Sequence, residues 1–313
     1  MRAKRPGESA GRVVDRNFQN AYSLCMKSFY GAVLGVFLSW NLFAAGTESG
    51  IGPSFKGPLG LQMYSLRFYS PTNLLQQLDK VQEYGFKTIE GGVPGRGMTP
   101  DEFFHELDKR GIKLVSTGVD YGRLKSNADA VVEQVKKLGV KYVMCSWIPH
   151  DKGLFTEKNA RDAIDVFNTA GPKFKDAGIV FTYHCHGYEF QPFGDRTLFD
   201  LIVRETKPDS VFFELDVFWA QQGGADPAKL LGKYGSRFKL MHVKDLKKGA
   251  AKNLTGTAPD QDSVPVGEGE VDWKAVLNAA KQARIEHYFI EDEARDAADQ
   301  IPKSLRYLET LRW

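Results

Sequence analysis

The 313-residue chain has 42% hydrophobic and 26% charged residues, ordinary globular composition that excludes a disordered or low-complexity protein. Its formal charge of +3 comes from the first 45 residues, which carry six basic and two acidic side chains. The rest therefore stands at −1 and offers no basic domain to hold nucleic acid.

The first element in chain order is a leader. The run "FYGAVLGVFLSWNLFAA" over residues 29–45 follows Lys27 and ends in small residues, the pattern of a cleavable secretory signal. It falls short of the roughly 20 apolar residues that a spanning helix needs. Translation from Met26 would make the leader compact. The expected organisation is a signal peptide over 1–45, a linker over 46–57 and one domain over 58–313. The protein is then exported, to the periplasm, and meets the membrane only through its leader. Of three cysteines only Cys145 and Cys185 follow the leader, too few for a disulfide framework.

From residue 60 the chain repeats a short apolar run, a polar turn and an amphipathic segment. The predicted strands are 60–66, 87–92, 113–119, 141–147, 179–185, 211–218, 238–245 and 288–293. Between them apolar residues recur at helical spacing, as with Val131, Val135 and Leu138. Gly85, Gly111, Gly139 and Gly178 each stand just before a strand, where a helix C-terminus calls for glycine. Eight βα units joined by right-handed crossovers predict a single (β/α)8 barrel. An open doubly wound sheet is the alternative, but "MYSLRFYSP" after the first strand lacks the glycine-rich phosphate turn. The segment 246–270 after the seventh strand is long enough to lie over the mouth as a lid.

Barrel chemistry sits where strands end. Strand two ends in Glu90, strand five in His184 and His186 with Glu189 beyond, and strand six in Asp216. Strand seven ends in His242, Lys244 and Asp245, and strand eight in Glu291 and Glu293. Each alone has a bland reading as a cap or an ion pair. Together, so many carboxylates and imidazoles around one cavity need protonation, hydration or a cation.

The motifs "YHCHGYEF", "ELDVFWAQQGGADPAKLL", "KLMHVKD", "VGEGEVDWKAVL" and "YFIEDE", opened by "GLQMYSLR", resemble those of the xylose-isomerase-like TIM barrels known as sugar phosphate isomerases/epimerases. The resemblance spans roughly residues 58–313. It implies a divalent metal, manganese first with zinc, cobalt or magnesium as alternatives, held by Glu, Asp, His and Glu from strands five to eight. Asp216, His242 and Glu291 match the last three. On strand five, His184 stands where the family carries glutamate, and Glu189 follows five residues later. Glu189 is the favoured first ligand, with His184 and His186 as alternatives. Cys185 is expected to pack between strands rather than ligate.

A metal-dependent sugar isomerase or epimerase working through a metal-stabilised enediolate is the function this implies. An unphosphorylated sugar or keto-sugar is the expected small-molecule partner. A keto-glycoside lyase or hydrolase on the same site is the alternative, as is a non-catalytic secreted carbohydrate-binding barrel. A DNA-repair endonuclease on this barrel would need a basic groove. His184 or His186 and Glu291 are the expected acid–base groups, with Lys244 as an oxyanion partner. Tyr64, Trp147 and Trp219 are candidates for a sugar-stacking wall. Glu90, Gln62 and His150 are weaker candidates for hydroxyl contacts. His105 is expected at the surface.

Overall fold

The computed structural model describes residues 49–91, 98–151 and 153–313. The expected signal peptide over residues 1–45 lies outside them. Eight parallel strands close into a barrel: β1 (Leu59–Gln62), β2 (Thr88–Glu90), β3 (Lys113–Gly118), β4 (Tyr142–Cys145), β5 (Val180–His184), β6 (Phe212–Asp216), β7 (Phe238–Val243) and β8 (His287–Ile290). Each pairs with its sequence neighbours, and β1 closes on β8 with Leu59 opposite Tyr288 and Leu61 opposite Ile290. All eight predicted strands are present. The first is shorter than expected, because Met63–Leu66 forms a 3-10 turn.

The helices between the strands start where side chains can satisfy their free N–H groups. α1 (Leu74–Glu83), α2 (Pro100–Lys109), α3 (Tyr121–Lys136) and α4 (Glu157–Asp176) are capped by Asn73, Thr99, Asp120 and Thr156. α5 (Leu198–Glu205), α6 (Val217–Gln222) and α7 (Pro227–Tyr234) are capped by Thr197, Asp216 and Asp226, and α8 (Trp273–Ala283) by Asp272. α9 (Ala297–Thr310) ends the chain's regular structure. Gly85, Gly111, Gly139 and Gly178 take positive φ at the expected helix ends. Among the described residues no helix is long and apolar enough to cross a membrane.

Strand alternation divides the core in two. Outward residues such as Phe181, Tyr183 and Phe213 pack with helix residues Phe167, Phe174 and Phe199. Inside the barrel Tyr142, Leu240 and Phe289 form an apolar plug with Val115 and Val180 against them. The plug closes one end, so polar inward residues beyond it can only meet at the other.

Candidate functional site

Strand register brings the polar residues together. Gln62 pairs with Glu90 across β1 and β2, His184 with Glu214 across β5 and β6, and Asp216 with His242 across β6 and β7. The last pairing depends on a register shift after Phe213, which sets Glu214 opposite Leu240 instead of Lys239. Without that extra residue on β7, Asp216 would face Met241, and His242 would point to the opposite side.

Among the described residues, two sets of buried donors each have their atoms within 4.8 Å of one another: His184 with Asp216 and His242, and Glu90 with Glu214 and His242. In the first set, Asp216 Oδ2 lies 3.7 Å from His184 Nε2 and 3.5 Å from His242 Nδ1. Glu291 Oε2 stands 3.2 Å from the same His242 nitrogen. Asp216 Oδ1 accepts the Trp219 N–H at 2.9 Å and caps α6, whereas Oδ2 is buried with no hydrogen-bond partner. That oxygen faces two imidazoles and lies 4.0 Å from Lys244 Nζ, beyond hydrogen-bond reach, so it is left without a bonded partner, a cost that a bound cation would relieve. The donors His184, Asp216 and His242 therefore fit a divalent ion, with Glu291 beside His242 as the candidate fourth, and imidazoles with carboxylates suit zinc or cobalt as well as manganese.

The second set lies deeper. Glu90 Oε1 is 2.6 Å from His242 Nε2 and accepts the Gln62 amide at 2.8 Å. Glu214 Oε2 is 3.1 Å from His184 Nδ1. Burial, then the neighbouring Glu90, pushes Glu214 up to about 7. Burial opposes charge on Glu90, but its bond to His242 holds it below the usual carboxylate range. Glu214 went unnoticed in the sequence, although it stands two residues before Asp216 and so shares its face of the strand.

Glu189 is not brought to the cluster. Gly187 takes a left-handed conformation with φ of +91°, and the 3-10 turn over Tyr188–Phe190 carries Glu189 away from the strand axis. Its carboxylate accepts the Tyr183 hydroxyl and, at 3.0 Å, the His186 N–H. Tyr183 alternates outward from His184, so this is the strand–helix side. His184 instead supplies the strand-five donor. Cys145 and Cys185 are buried free thiols, and Cys185 packs in the core.

A cavity of about 490 Å³ opens at this mouth, lined among others by Tyr64, His186, Trp219, Gly256, Glu291 and Glu293. The His186 ring stacks on Trp219 with centroids 5.1 Å apart, and its Nδ1 has no partner. Burial, then His184 and Lys244, holds His186 well below its ordinary value. Lys244 does not line the cavity; it lies fully buried behind it, 3.2 Å from Glu291 and paired with Glu293. Burial disfavours its charge, but Glu291 and Glu293 hold the ammonium above its ordinary value. Burial likewise opposes charge on Glu291, which Lys244 and His242 keep well below the carboxylate range.

Glu90 is fully buried beneath His242 rather than at the cavity wall, since its register on β2 points it into the barrel. Gln62 lines the cavity with its amide committed to Glu90. Trp147, expected in a sugar-stacking wall, is partly exposed beside the cavity, stacked on His150 and edge-on to the His186 ring. The segment after β7 crosses there as expected: a Cβ on Gly256 would lie 2.6 Å from Tyr188 and 3.1 Å from Trp147, and Thr257 and Ala258 reach the cavity. His105 is exposed on α2.

Comparison with known proteins agrees with this architecture. A family profile described as xylose isomerase-like TIM barrel matches residues 78–311. An inosose dehydratase from Lacticaseibacillus casei is 23% identical over 267 residues, covering 75% of this chain and 88% of that protein. One from Clostridium tetani is 26% identical over 173 residues, 51% of this chain, and there the match spans only 57% of the relative's length. Among solved structures, a sugar phosphate isomerase/epimerase from Parabacteroides distasonis superposes with a TM-score of 0.67 at 23% identity, covering 84% of this chain and 98% of that one. An IolI protein with a bound zinc atom gives 0.60 at 16% identity, covering 80% and 94%.

Proposed function

The chain belongs to the xylose isomerase-like TIM barrel family, and from that premise we propose that it is a divalent-metal-dependent enzyme that takes a proton from the carbon beside a carbonyl of an unphosphorylated sugar, keto-sugar or cyclitol. Returned to the same or the neighbouring carbon, that proton makes the enzyme an epimerase or isomerase. The observation that carries this is the meeting of His184, Asp216 and His242, with Glu291 against His242, at a cavity that His186 also lines. A divalent ion held by those four side chains would polarise a carbonyl and its neighbouring hydroxyl, making the C–H between them acidic.

The chain's own residues do the rest. His186, whose ring lines the cavity, accepts the proton, and Trp219 stacked on that ring fixes its plane. Glu291 stands three strands further round the barrel and serves the other side, held ionised by Lys244. Tyr64, exposed at the cavity wall, offers a face for a sugar ring, whereas the Trp219 ring is covered by His186 and Lys244. The leader expected over residues 1–45 supports an exported, periplasmic enzyme, and sugar phosphates are chiefly cytosolic.

A second reading is elimination. Inosose dehydratases among the relatives favour it, since loss of water would begin with the same proton abstraction. Incubating the protein with Mn2+, Zn2+ or Co2+ and a panel of ketoses, 3-keto-glycosides and inososes in D2O, followed by NMR, tests both. Deuterium entering beside the carbonyl is expected, with an isomer or epimer as product; an unsaturated product selects the lyase. No label uptake from any of them would leave only a sugar-binding barrel.

A further inference from the structure

The strand-five donor carries one more inference, which rests on the metal-dependent reading above. We infer that Glu214 is the positioning residue that makes His184 a metal donor, by binding its Nδ1 and leaving Nε2 as the atom that faces the ion.

A neutral imidazole has one N–H and one lone pair, and whatever holds the N–H decides where the lone pair points. Glu214 Oε2, 3.1 Å from His184 Nδ1, has no exposed surface and no other hydrogen-bond partner. In the neutral imidazole that a metal requires, this carboxylate would hold the proton on Nδ1. Nε2 then presents its lone pair to Asp216 Oδ2, 3.7 Å away, an oxygen without a hydrogen-bond partner of its own. Two electron-rich atoms facing each other at that distance make sense around a cation. His242 is arranged in the same way with its nitrogens exchanged: Glu90 holds Nε2 at 2.6 Å, and Nδ1 turns to Asp216 and Glu291. Carboxylates behind ligating histidines fix their orientation and raise their basicity. Glu214 touches both histidines, its Oε1 lying 3.4 Å from His242 Nε2.

A carboxylate at position 184 would bring its own charge and need no partner behind it, which gives the inference its test. Co2+ is titrated into the chelator-stripped full chain and followed by visible absorption, with metal content measured after dialysis, in wild type, Glu214→Gln, His184→Glu and the double variant. Glu214→Gln is expected to weaken Co2+ binding about 10- to 100-fold in the wild-type background. In the His184→Glu background the same change should leave the affinity unchanged or raise it. An equal loss in both backgrounds, or no loss in the first, overturns the inference while leaving metal dependence intact. Failure of the wild type to bind Co2+ overturns both. Circular dichroism establishes folding of each variant. Should Glu214→Gln not fold, Glu214→Asp, whose carboxylate is one methylene shorter, must show the same dependence on residue 184.

Discussion

Asp216 does two jobs with its two oxygens: Oδ1 starts α6 at the Trp219 N–H, and the same bond holds Oδ2 toward the histidines. Lys244 shows the same economy. The oxyanion role expected for it gives way to an ion pair with neighbouring acids: its ammonium sits behind Glu291 and Glu293 and over the Phe218 and Trp219 rings. Removing that charge leaves buried carboxylates uncompensated. Lys244→Met should therefore cost about 3–5 kcal/mol in denaturant unfolding with a chelator present. A loss below about 1 kcal/mol would mean that the carboxylates take up protons without penalty.

At the scale of elements, the end of the segment after β7, where it returns to α8, gathers around one side chain. The Asp245 carboxylate accepts the N–H groups of Gly267 at 2.8 Å, Gly269 at 3.2 Å and Val271 at 3.2 Å, together with the Trp273 indole N–H at 2.8 Å. This explains the run "VGEGEVDW": a Cβ at Gly269 would collide with the Asp245 carboxylate. Asp245→Ala strands several buried donors at about 1–3 kcal/mol each. The expected outcome is a melting temperature several degrees lower, with new proteolytic cleavage between residues 246 and 270. Cleavage confined to other loops would show that the segment is anchored elsewhere.

For the molecule as a whole, the barrel has a mouth where ionisable side chains gather and a base closed by an apolar plug. At the base, His287 lies buried in β8, its Nε2 3.0 Å from Thr88 and its ring stacked on Phe289. Burial lowers it to about 4. Between pH 6.5 and 4 the unfolded chain takes a proton that the folded chain refuses, so the stability contributed by neutral His287 is complete above 6.5 and is lost as pH falls to 4. The loss amounts to at most about 3 kcal/mol. Urea unfolding across that range should show this slope in wild type, and His287→Gln should flatten it. The eight strands, their helices and the polar strand ends that gather at one mouth are legible in the sequence, because hydrophobic period and glycine punctuation are local and a (β/α)8 chain has few ways to close. The roles of His184, Glu189 and Glu214 are not. His184 and Glu189 compete for one position in the linear order, and the left-handed turn at Gly187 sends Glu189 to the outer side. Glu214 gains its meaning from pairing with His184 across two strands. The sequence by itself thus determined the architecture and the side chains available at one mouth. Only the tertiary structure decided which of them meet, because a single extra residue on β7 sets whether His242 stands beside Asp216 or turns away from it.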